Sequence, residues 1–247
     1  MHGVRVSPEE TSALAELRDL ANALAPDVRA RIAAGWARAA QAEHASIASF
    51  ARFTLELLAV GAPPDLVRDT QRAALDEIAH AELSFAIASV YAGQSLGPGR
   101  LPIDSNVLGR VDLESVIEST VTEGCVGETL AAAEAEAARD AAIPAVVKSA
   151  LGRVAADEAA HAMLAYRFVS WALGVGDRSA RTAARSAFTR EIARRRNEPV
   201  LESLRESTLR THGLLPAPER HALRLEVLTT VIAPTADTLL GPLADTA

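Results

Sequence analysis

Cysteine and aromatic residues are scarce in this 247-residue sequence, and basic residues are outnumbered by acidic ones. The single cysteine, Cys125, excludes an internal disulfide framework and the cysteine-rich kinds of metal site. Aromatic residues make up only 4% of the chain while alanine is abundant, which favours helices that pack closely on small side chains. The net charge of −7 argues against a nucleic-acid partner, since phosphate binding needs clustered lysine and arginine.

Long apolar runs are also missing. The uncharged stretch 83–99 is interrupted by Gly93, Gly97 and Pro98, so it cannot form a helix that spans a bilayer. The first residues, which include His2 and Arg5, lack the apolar run of a secretory signal. We therefore expect a soluble, cytoplasmic protein that has no membrane partner.

Proline and glycine divide the sequence into segments of helix length. Apolar residues recur with helical spacing from Ile32 through Trp36 and Phe50 to Leu57, and this run stops at the turn 61–64. No segment alternates with a period of two, so we predict an all-α fold. Four long helices are expected, at about 26–60, 64–91, 112–142 and 144–174.

The predicted helices form two hairpins joined by a long connection. The turns at 61–64 and 143–144 are short, so each turn makes its two helices antiparallel. The connection over 92–111 has about 20 residues, which at up to about 3.3 Å each can travel the whole length of a bundle. The expected architecture is therefore a ferritin-like four-helix bundle with one long crossover.

Additional N- and C-terminal helices are expected on the outside of the bundle, which itself covers 28–172. The segment 7–10 carries a helix start signal for a short first helix. Further helices over 178–247 include a basic helix, a short helix near 199–211 and a last helix that is interrupted at Pro234. No linker rich in Ser, Gly or Pro separates them from the bundle, so we expect residues 1–247 to form a single domain.

An internal repeat carries the strongest chemical signal. The segments 76–80 and 157–161 both have the pattern Asp-Glu-x-x-His, and the residues that follow them are also similar. Residues three apart on a helix lie on one face, with about 5–6 Å between their Cβ atoms. The Glu and the His of each copy can therefore bind one metal ion together.

Each hairpin offers one further glutamate at a matching height. Glu43 lies 34 residues before Glu77, and Glu123 lies 35 residues before Glu158. Counting back through each short turn places the members of each pair within about one helical turn of each other. Glu128 is an alternative ligand on the third helix, but the internal symmetry favours Glu123.

Together these residues make a donor set for two metal ions. The six predicted ligands are Glu43, Glu77, His80, Glu123, Glu158 and His161. Four carboxylates formally neutralise two divalent cations, whereas without metal the same cluster would strongly repel itself. Hard oxygen donors with two imidazoles suit iron or manganese better than copper or a structural zinc. The predicted cofactors are two Fe ions, with Mn as the alternative.

The motifs resemble those of the ferritin-like di-iron carboxylate superfamily, which includes rubrerythrins, the small subunit of ribonucleotide reductase and the bacterial multicomponent monooxygenases. The resemblance covers about 28–172 and depends on both Asp-Glu-x-x-His segments and on the two isolated glutamates. It implies that Glu77 and Glu158 tend to bridge the ions. It also implies that Asp76 and Asp157 each accept a hydrogen bond from the ligand histidine of the opposite hairpin.

The resemblance implies an O2-dependent oxidoreductase that oxidises a small organic substrate by hydroxylation, N-oxygenation or desaturation and receives electrons from a donor or reductase. The monooxygenases usually carry Arg before the His of the motif, where this chain has Ala79 and Ala160, so their particular activity is not implied. Two alternatives stay open, an iron-binding ferroxidase and a dimanganese catalase-like enzyme. A homodimer also stays open.

Two glycines interrupt the third predicted helix close to the expected site. Gly124 and Gly127 each cost about 1 kcal/mol relative to alanine inside a helix. One explanation is close helix packing, and the other is space beside the metals for dioxygen or substrate. A π-bulge, which often marks a functional site, is compatible with either explanation.

Overall fold

The computed structural model describes residues 8–104, 106–199 and 207–241. These residues form helices and connections without any strand, which confirms the all-α prediction. None of the described helices has both the length and the apolar composition that crossing a bilayer requires. The elements in chain order are α1 (Pro8–Asn22), α2 (Pro26–Ala59), α3 (Pro64–Ala92), α4 (Leu113–Thr120), a first π-helical segment (Val121–Glu128), α5 (Thr129–Ala141), α6 (Ala145–Val175), α7 (Arg178–Arg196), α8 (Ser207–Thr211), α9 (Ala217–Val227), a second π-helical segment (Leu228–Ile232) and α10 (Ala233–Leu240).

Local sequence signals set the ends of the long helices. Pro26 and Pro64 occupy the first positions of α2 and α3, where a missing N–H costs little because that group has no acceptor within the helix. Gly93 ends α3 in the left-handed conformation, at φ 68°, which has no Cβ penalty for glycine. Asp112 caps α4 by accepting a hydrogen bond from Ser115 N at 2.9 Å.

The helices α2 and α3 form an antiparallel hairpin. Near the turn, Gln71 Nε2 donates a hydrogen bond to Thr54 Oγ1 at 2.7 Å. Further from the turn, Glu43 Oε2 lies 3.8 Å from His80 Nδ1. Because the residue numbers fall on α2 while they rise on α3, the two helices run in opposite directions.

The second half of the chain repeats this arrangement. The elements α4, the first π-helical segment and α5 follow one another directly and are called the third helix below. The third helix is antiparallel to α6, since Gly124 packs against Ala165 while Arg139 lies next to Gly152. Contacts of the two Asp-Glu-x-x-His segments make α6 antiparallel to α3 as well. It follows that α3 and the third helix run in the same direction, so the connection 93–112 joins opposite ends of the helices.

Two apolar clusters fill the interior of the described structure, and a band of polar side chains separates them. One cluster contains Ile32 and Trp36 near the start of α2. The other contains Phe50 and Leu57 near its end. Each of α2, α3 and α6 contributes one part of its length to the first cluster and another part to the second. The predicted Glu and His ligands on these helices lie between the two parts. The predicted site is therefore enclosed by apolar core on both sides.

The helices that follow α6 pack against the third helix. Arg224 of α9 donates a hydrogen bond to Glu134 Oε1 at 2.5 Å. Arg190 of α7 lies 3.4 Å from Glu118. Apolar side chains of α7 and α10 also join the cluster that contains Phe50. These contacts bring the C-terminal part of the chain next to the predicted site.

The last helices differ in detail from the sequence prediction. Of the short helix expected near 199–211, the structure describes Ser207–Thr211 as helical, and 200–206 lie outside the described residues. In place of the expected interruption at Pro234, a second π-helical segment ends at Ile232, and α10, which contains Pro234 as its second residue, continues to Leu240. A helical proline removes one hydrogen bond and clashes with a carbonyl of the preceding turn, and a wider turn relieves that clash.

The two glycines of the first π-helical segment provide a test of the packing. A Cβ at Gly124 would lie 2.5 Å from the Cβ of Ala165, whereas a Cβ at Gly127 would have Thr122 O, at 3.4 Å, as its nearest neighbour. We expect Gly124→Ala to lower the free energy of unfolding by about 1–3 kcal/mol through overpacking. Gly127→Ala should leave it unchanged or raise it by up to about 1 kcal/mol. Urea denaturation measures both variants, and equal effects would contradict the close packing of the third helix on α6.

Candidate metal centre

Six acidic and histidine side chains from the four long helical spans converge in the polar band. Among the described residues, two overlapping groups place one potential ligand atom per residue within 4.8 Å of one another. The first group consists of Glu43, Glu77, His80 and Glu158. The second group consists of Glu77, Glu128, Glu158 and His161. Because Glu77 and Glu158 belong to both groups, two adjacent ions would share these carboxylates.

The centre of this cluster is almost completely removed from solvent. Glu77 and His80 are 0% and 1% exposed, and Glu158 and His161 are 3% and 4% exposed. Moving an ionised carboxylate or imidazole out of water costs several kcal/mol unless an opposite charge or a hydrogen bond compensates. So many ionisable groups in one apolar surrounding therefore need cations or protons between them.

The facing atoms of the cluster are close together but do not form hydrogen bonds. His161 Nδ1 is 3.2 Å from Glu77 and 3.4 Å from Glu158. His80 Nδ1 is 3.8 Å from both Glu43 and Glu158. Within the described residues, both carboxylate oxygens of Glu77, one of Glu158 and both Nδ1 atoms have no hydrogen-bond partner. Atoms that bind one ion at about 2.0–2.2 Å lie about 3 Å apart, so metal ions fit as the missing partners.

An aspartate from the opposite hairpin orients each histidine. His80 Nε2 lies 2.9 Å from Asp157 Oδ2. His161 Nε2 lies 3.5 Å from Asp76 Oδ2. When the imidazole is neutral, a carboxylate at Nε2 favours the tautomer that keeps its proton there, and the Nδ1 lone pair is then available to a metal ion. The structure thus brings Asp76 and Asp157 to the histidines across the two hairpins.

Protons on the two histidines compensate the buried carboxylates when no metal is bound. Burial alone would lower the pKa of His80, but the carboxylates of Glu43 and Asp157 outweigh burial and raise the pKa to about 9. Burial also opposes the protonation of His161, and the two neighbouring glutamates raise its pKa to about 10. Both imidazoles are then cationic at neutral pH, and their charge takes the place of the metal charge.

The carboxyl groups of the cluster differ in acidity. Burial raises the pKa of Glu77 to about 7, although the nearby His161 acts in the opposite direction. Burial also raises the pKa of Glu128 well above its usual value, and the adjacent Glu158 adds to this rise. Burial would raise the pKa of Glu158 too, but Glu128 and His161 outweigh it and hold this pKa below its usual value. Glu128 therefore holds a proton more readily than Glu158, and a bound cation would displace that proton.

The third helix contributes Glu128, and not Glu123, to the cluster. The sequence analysis favoured Glu123 as the ligand from the third helix, whereas the structure brings Glu128 to the cluster. The side chain of Glu123 is 46% exposed and forms an ion pair with Arg52 of α2. Glu128 instead joins the group that includes the second Asp-Glu-x-x-His segment.

The register of the third helix explains this placement. Gly124 lies opposite Ala165 on the antiparallel α6, so Glu128, four residues later, lies at the level of His161. Glu123 lies more than one helical turn away from that level. The π-helical segment Val121–Glu128 also has a wider turn than an α-helix, which changes the side chains that face each neighbour. Symmetry with the purely α-helical first hairpin therefore does not predict which glutamate of the third helix lies in the cluster.

A first cavity, of about 520 Å³, reaches the half of the cluster that contains His161. Glu128 and Gly127 line it from the third helix, and Phe50 lines it from α2. Gly124 lines the same cavity, so both glycines leave space beside the cluster. Gly124 also packs closely against Ala165, so the packing explanation applies to Gly124 as well.

A second cavity, of about 800 Å³, reaches the other half of the cluster at Glu43 and Glu158. Trp36 lines it from α2, and the segment after α8 lines its other side. In this segment, Gly213 packs closely against Val147 and Trp36. Gly213 has a φ of 81°, and a Cβ at this position would lie 2.5 Å from Val147. The wall of this cavity therefore requires a residue without a side chain at Gly213.

Three hydrogen bonds hold the segment that closes the second cavity. Ile143 N, at the turn before α6, donates to Thr211 O at 2.8 Å. Trp36 Nε1 donates to His212 O at 3.0 Å. The hydroxyl of Tyr91 lies 2.6 Å from His212 Nδ1. The cavity wall is thus attached to α2, to α3 and to the second hairpin.

Sequence reasoning missed one buried carboxylate near the first cavity. Glu56 is 4% exposed, and one of its oxygens has no partner among the described residues. Burial raises the pKa of Glu56, although the nearby Arg52 acts in the opposite direction. A spacing of four residues between Arg52 and Glu56 is typical of an exposed ion pair on a helix. The burial of this pair results from tertiary packing, which the local pattern does not show.

Comparisons of this chain with protein-family models, with curated proteins and with solved structures found no match. The resemblance to the di-iron carboxylate superfamily therefore stays a sequence-based prediction. The function is inferred from the residues and the geometry of the site.

A matched pair of substitutions tests which glutamate of the third helix binds metal. We expect Glu128→Gln to weaken Mn(II) binding by at least about tenfold, because it removes a carboxylate from the cluster. Glu123→Gln should leave binding unchanged, since this side chain pairs with Arg52 away from the cluster. Competition with a chromophoric chelator measures both affinities. A larger loss in Glu123→Gln than in Glu128→Gln would reverse the assignment.

Metal loading should release protons. His80 and His161, whose pKa values are about 9 and about 10 without metal, must lose their Nδ1 protons before they can bind an ion. We expect about two or more protons to be released per chain at neutral pH, and metal affinity to rise between about pH 6 and about pH 9. Calorimetry in buffers of different ionisation enthalpy counts these protons. Binding without proton release would contradict the protonated state of the metal-free cluster.

Proposed function

We propose that this chain is a ferritin-like four-helix bundle that binds two iron ions and uses dioxygen to oxidise a small organic substrate. Two antiparallel hairpins and a connection, 93–112, between opposite ends of the helices support this architecture. Two groups of potential ligands that share two carboxylates support a site for a pair of ions. An electron donor or reductase is part of the proposal, because the reduction of dioxygen consumes electrons.

The donor set supports iron, with manganese as the alternative metal. Carboxylate oxygens and imidazole nitrogens are hard or intermediate ligands, and Cys125 is buried away from them in an apolar cluster. The proposed ligands are Glu43 and His80 for one ion, Glu128 and His161 for the other, and Glu77 and Glu158 for both. Bound iron would supply redox chemistry with dioxygen that no amino-acid side chain offers.

The residues of the chain position the ligands and keep water away. Asp76 and Asp157 fix the rings of the two histidines by accepting a hydrogen bond at Nε2. Apolar clusters on both sides of the polar band exclude bulk solvent from the central carboxylates. A dry, preorganised cluster protects reactive species from water and from side reactions.

The observation that carries the proposal is that two cavities of small-molecule size reach the cluster. Their volumes, about 520 and about 800 Å³, lie within the range of ligand pockets, which is about 300–1,000 Å³. Arg194 and Arg195 of α7 line the first cavity, and residues between Leu209 and Arg220 line the second. A protein that only oxidises iron has no use for such cavities, so they favour an organic substrate over the ferroxidase alternative.

Anaerobic loading with Fe(II), followed by exposure to oxygen, tests the proposal. We expect about two Fe(II) per chain and a transient visible absorption in the wild type and in Glu123→Gln, but not in Glu128→Gln. Oxygen uptake should stop once the bound iron is oxidised and resume only when a reductant is added. An oxygen electrode and stopped-flow absorption follow both events.

Three outcomes would overturn this function. A chain that binds no metal and stays colourless would remove the metal centre. Continuous oxygen uptake with excess Fe(II) would assign a ferroxidase. Manganese in the purified protein together with disproportionation of peroxide would assign a catalase-like enzyme.

A further inference from the structure

The two cavities differ in the charge at their openings. Three arginines line the opening of the first cavity, and each has a carboxylate partner. Arg194 and Arg195 lie 2.5 and 2.8 Å from Glu191, and Arg52 forms ion pairs with both Glu56 and Glu123. The positive charge at this opening is therefore already neutralised by the chain itself.

Arginines line the opening of the second cavity. Arg38 of α2 and Arg220 of α9 line it, and both side chains are exposed. Within the part of the chain that the structure describes, neither side chain forms a hydrogen bond or an ion pair. Glu134, an acidic residue on the same wall, is already bound to Arg224 at 2.5 Å. Among the described residues, the unpaired charge at this opening is thus positive.

Between this opening and the cluster, the wall of the second cavity is largely apolar. Trp36 and Leu151 line it from α2 and α6, and Leu214 lines it from the segment after α8. Its inner end reaches Glu43 and Glu158 of the cluster. A ligand that fits this cavity therefore needs an anionic group at one end and an apolar body that extends towards the metals.

We propose that the second cavity is the substrate site and that the substrate is an organic carboxylate with an apolar body. The carboxylate binds between Arg38 and Arg220, whose planar guanidinium groups match its geometry, and the body lies against Trp36 and Leu214. The role of this ligand as substrate rests on the proposed function, whereas its binding does not.

The distance between Arg38 and the cluster limits the size of this ligand. Arg38 precedes Glu43 by five residues on α2, which corresponds to about 7.5 Å along the helix axis. A single ring with a short side chain, or a short alkyl chain, covers this distance. Long-chain lipids exceed it.

A pair of probes that differ only in charge tests the proposal. 4-Phenylbutanoate and 4-phenylbutan-1-ol have the same apolar body, and calorimetry measures their binding to the full chain with and without bound metal. We expect the wild type to bind the carboxylate at least about tenfold more tightly than the alcohol in both states, because hydrogen bonds to charged groups are strong. The double substitution Arg38→Gln with Arg220→Gln should remove this preference and leave alcohol binding unchanged.

Control variants separate the site from general charge effects. Arg68→Gln changes the net charge by the same amount per substitution, but Arg68 is an exposed residue of α3 that lines neither cavity. The Arg68→Gln variant should keep the full preference for the carboxylate over the alcohol. Each single variant, Arg38→Gln or Arg220→Gln, should lose part of it. Both arginines are exposed, so thermal unfolding should stay at the wild-type temperature.

The outcomes distinguish this inference from the proposed function. Equal binding of the two probes by the wild type would overturn the carboxylate site. A preference that persists in the double variant would also overturn it, because the carboxylate would then bind at the metals or in the first cavity. A chain that binds no metal but shows the arginine-dependent preference would refute the proposed function and support the carboxylate site.

Discussion

The whole arrangement depends on how four carboxylates and two imidazoles are kept inside an apolar core. Glu77 and Glu158 lie at the centre of this layer, where solvent cannot screen their repulsion. Either protons or cations must lie between them, and the surrounding carboxylates raise the pKa values of His80 and His161, which favours protonated imidazoles when metal is absent. The two apolar clusters provide the packing that holds the four helical spans together across this layer.

Local spacing made most of the cluster predictable. Residues three apart, such as Glu77 and His80, lie on the same face of any α-helix. The internal repeat predicts the same arrangement for Glu158 and His161. The third helix was less predictable, because its π-helical segment has a different periodicity and the relevant register comes from the packing of Gly124 on α6. The arginines at the opening of the second cavity could not be found by pattern at all. One lies on α2 and the other on α9, and only the folded chain brings them to one cavity.

Under the proposed function, the helices that follow α6 would determine which substrates reach the cluster. The ligands come from the four long helical spans, whose spacing is constrained by the cluster itself. The walls of the second cavity come in part from the segment after α8, which is held by backbone and side-chain hydrogen bonds to Ile143 and Trp36. Changes in that segment alter what reaches the cluster without moving any ligand.

Position 213 tolerates substitution much less than the neighbouring position 214. The backbone of Gly213 is left-handed and packed against Val147, so every other residue type is strained there. The side chain of Leu214 fills the space above Gly35, and the far end of a leucine can be shortened or lengthened without disturbing the backbone. The size of a ligand in the second cavity could therefore change through substitutions at 35 and 214, whereas position 213 must remain glycine.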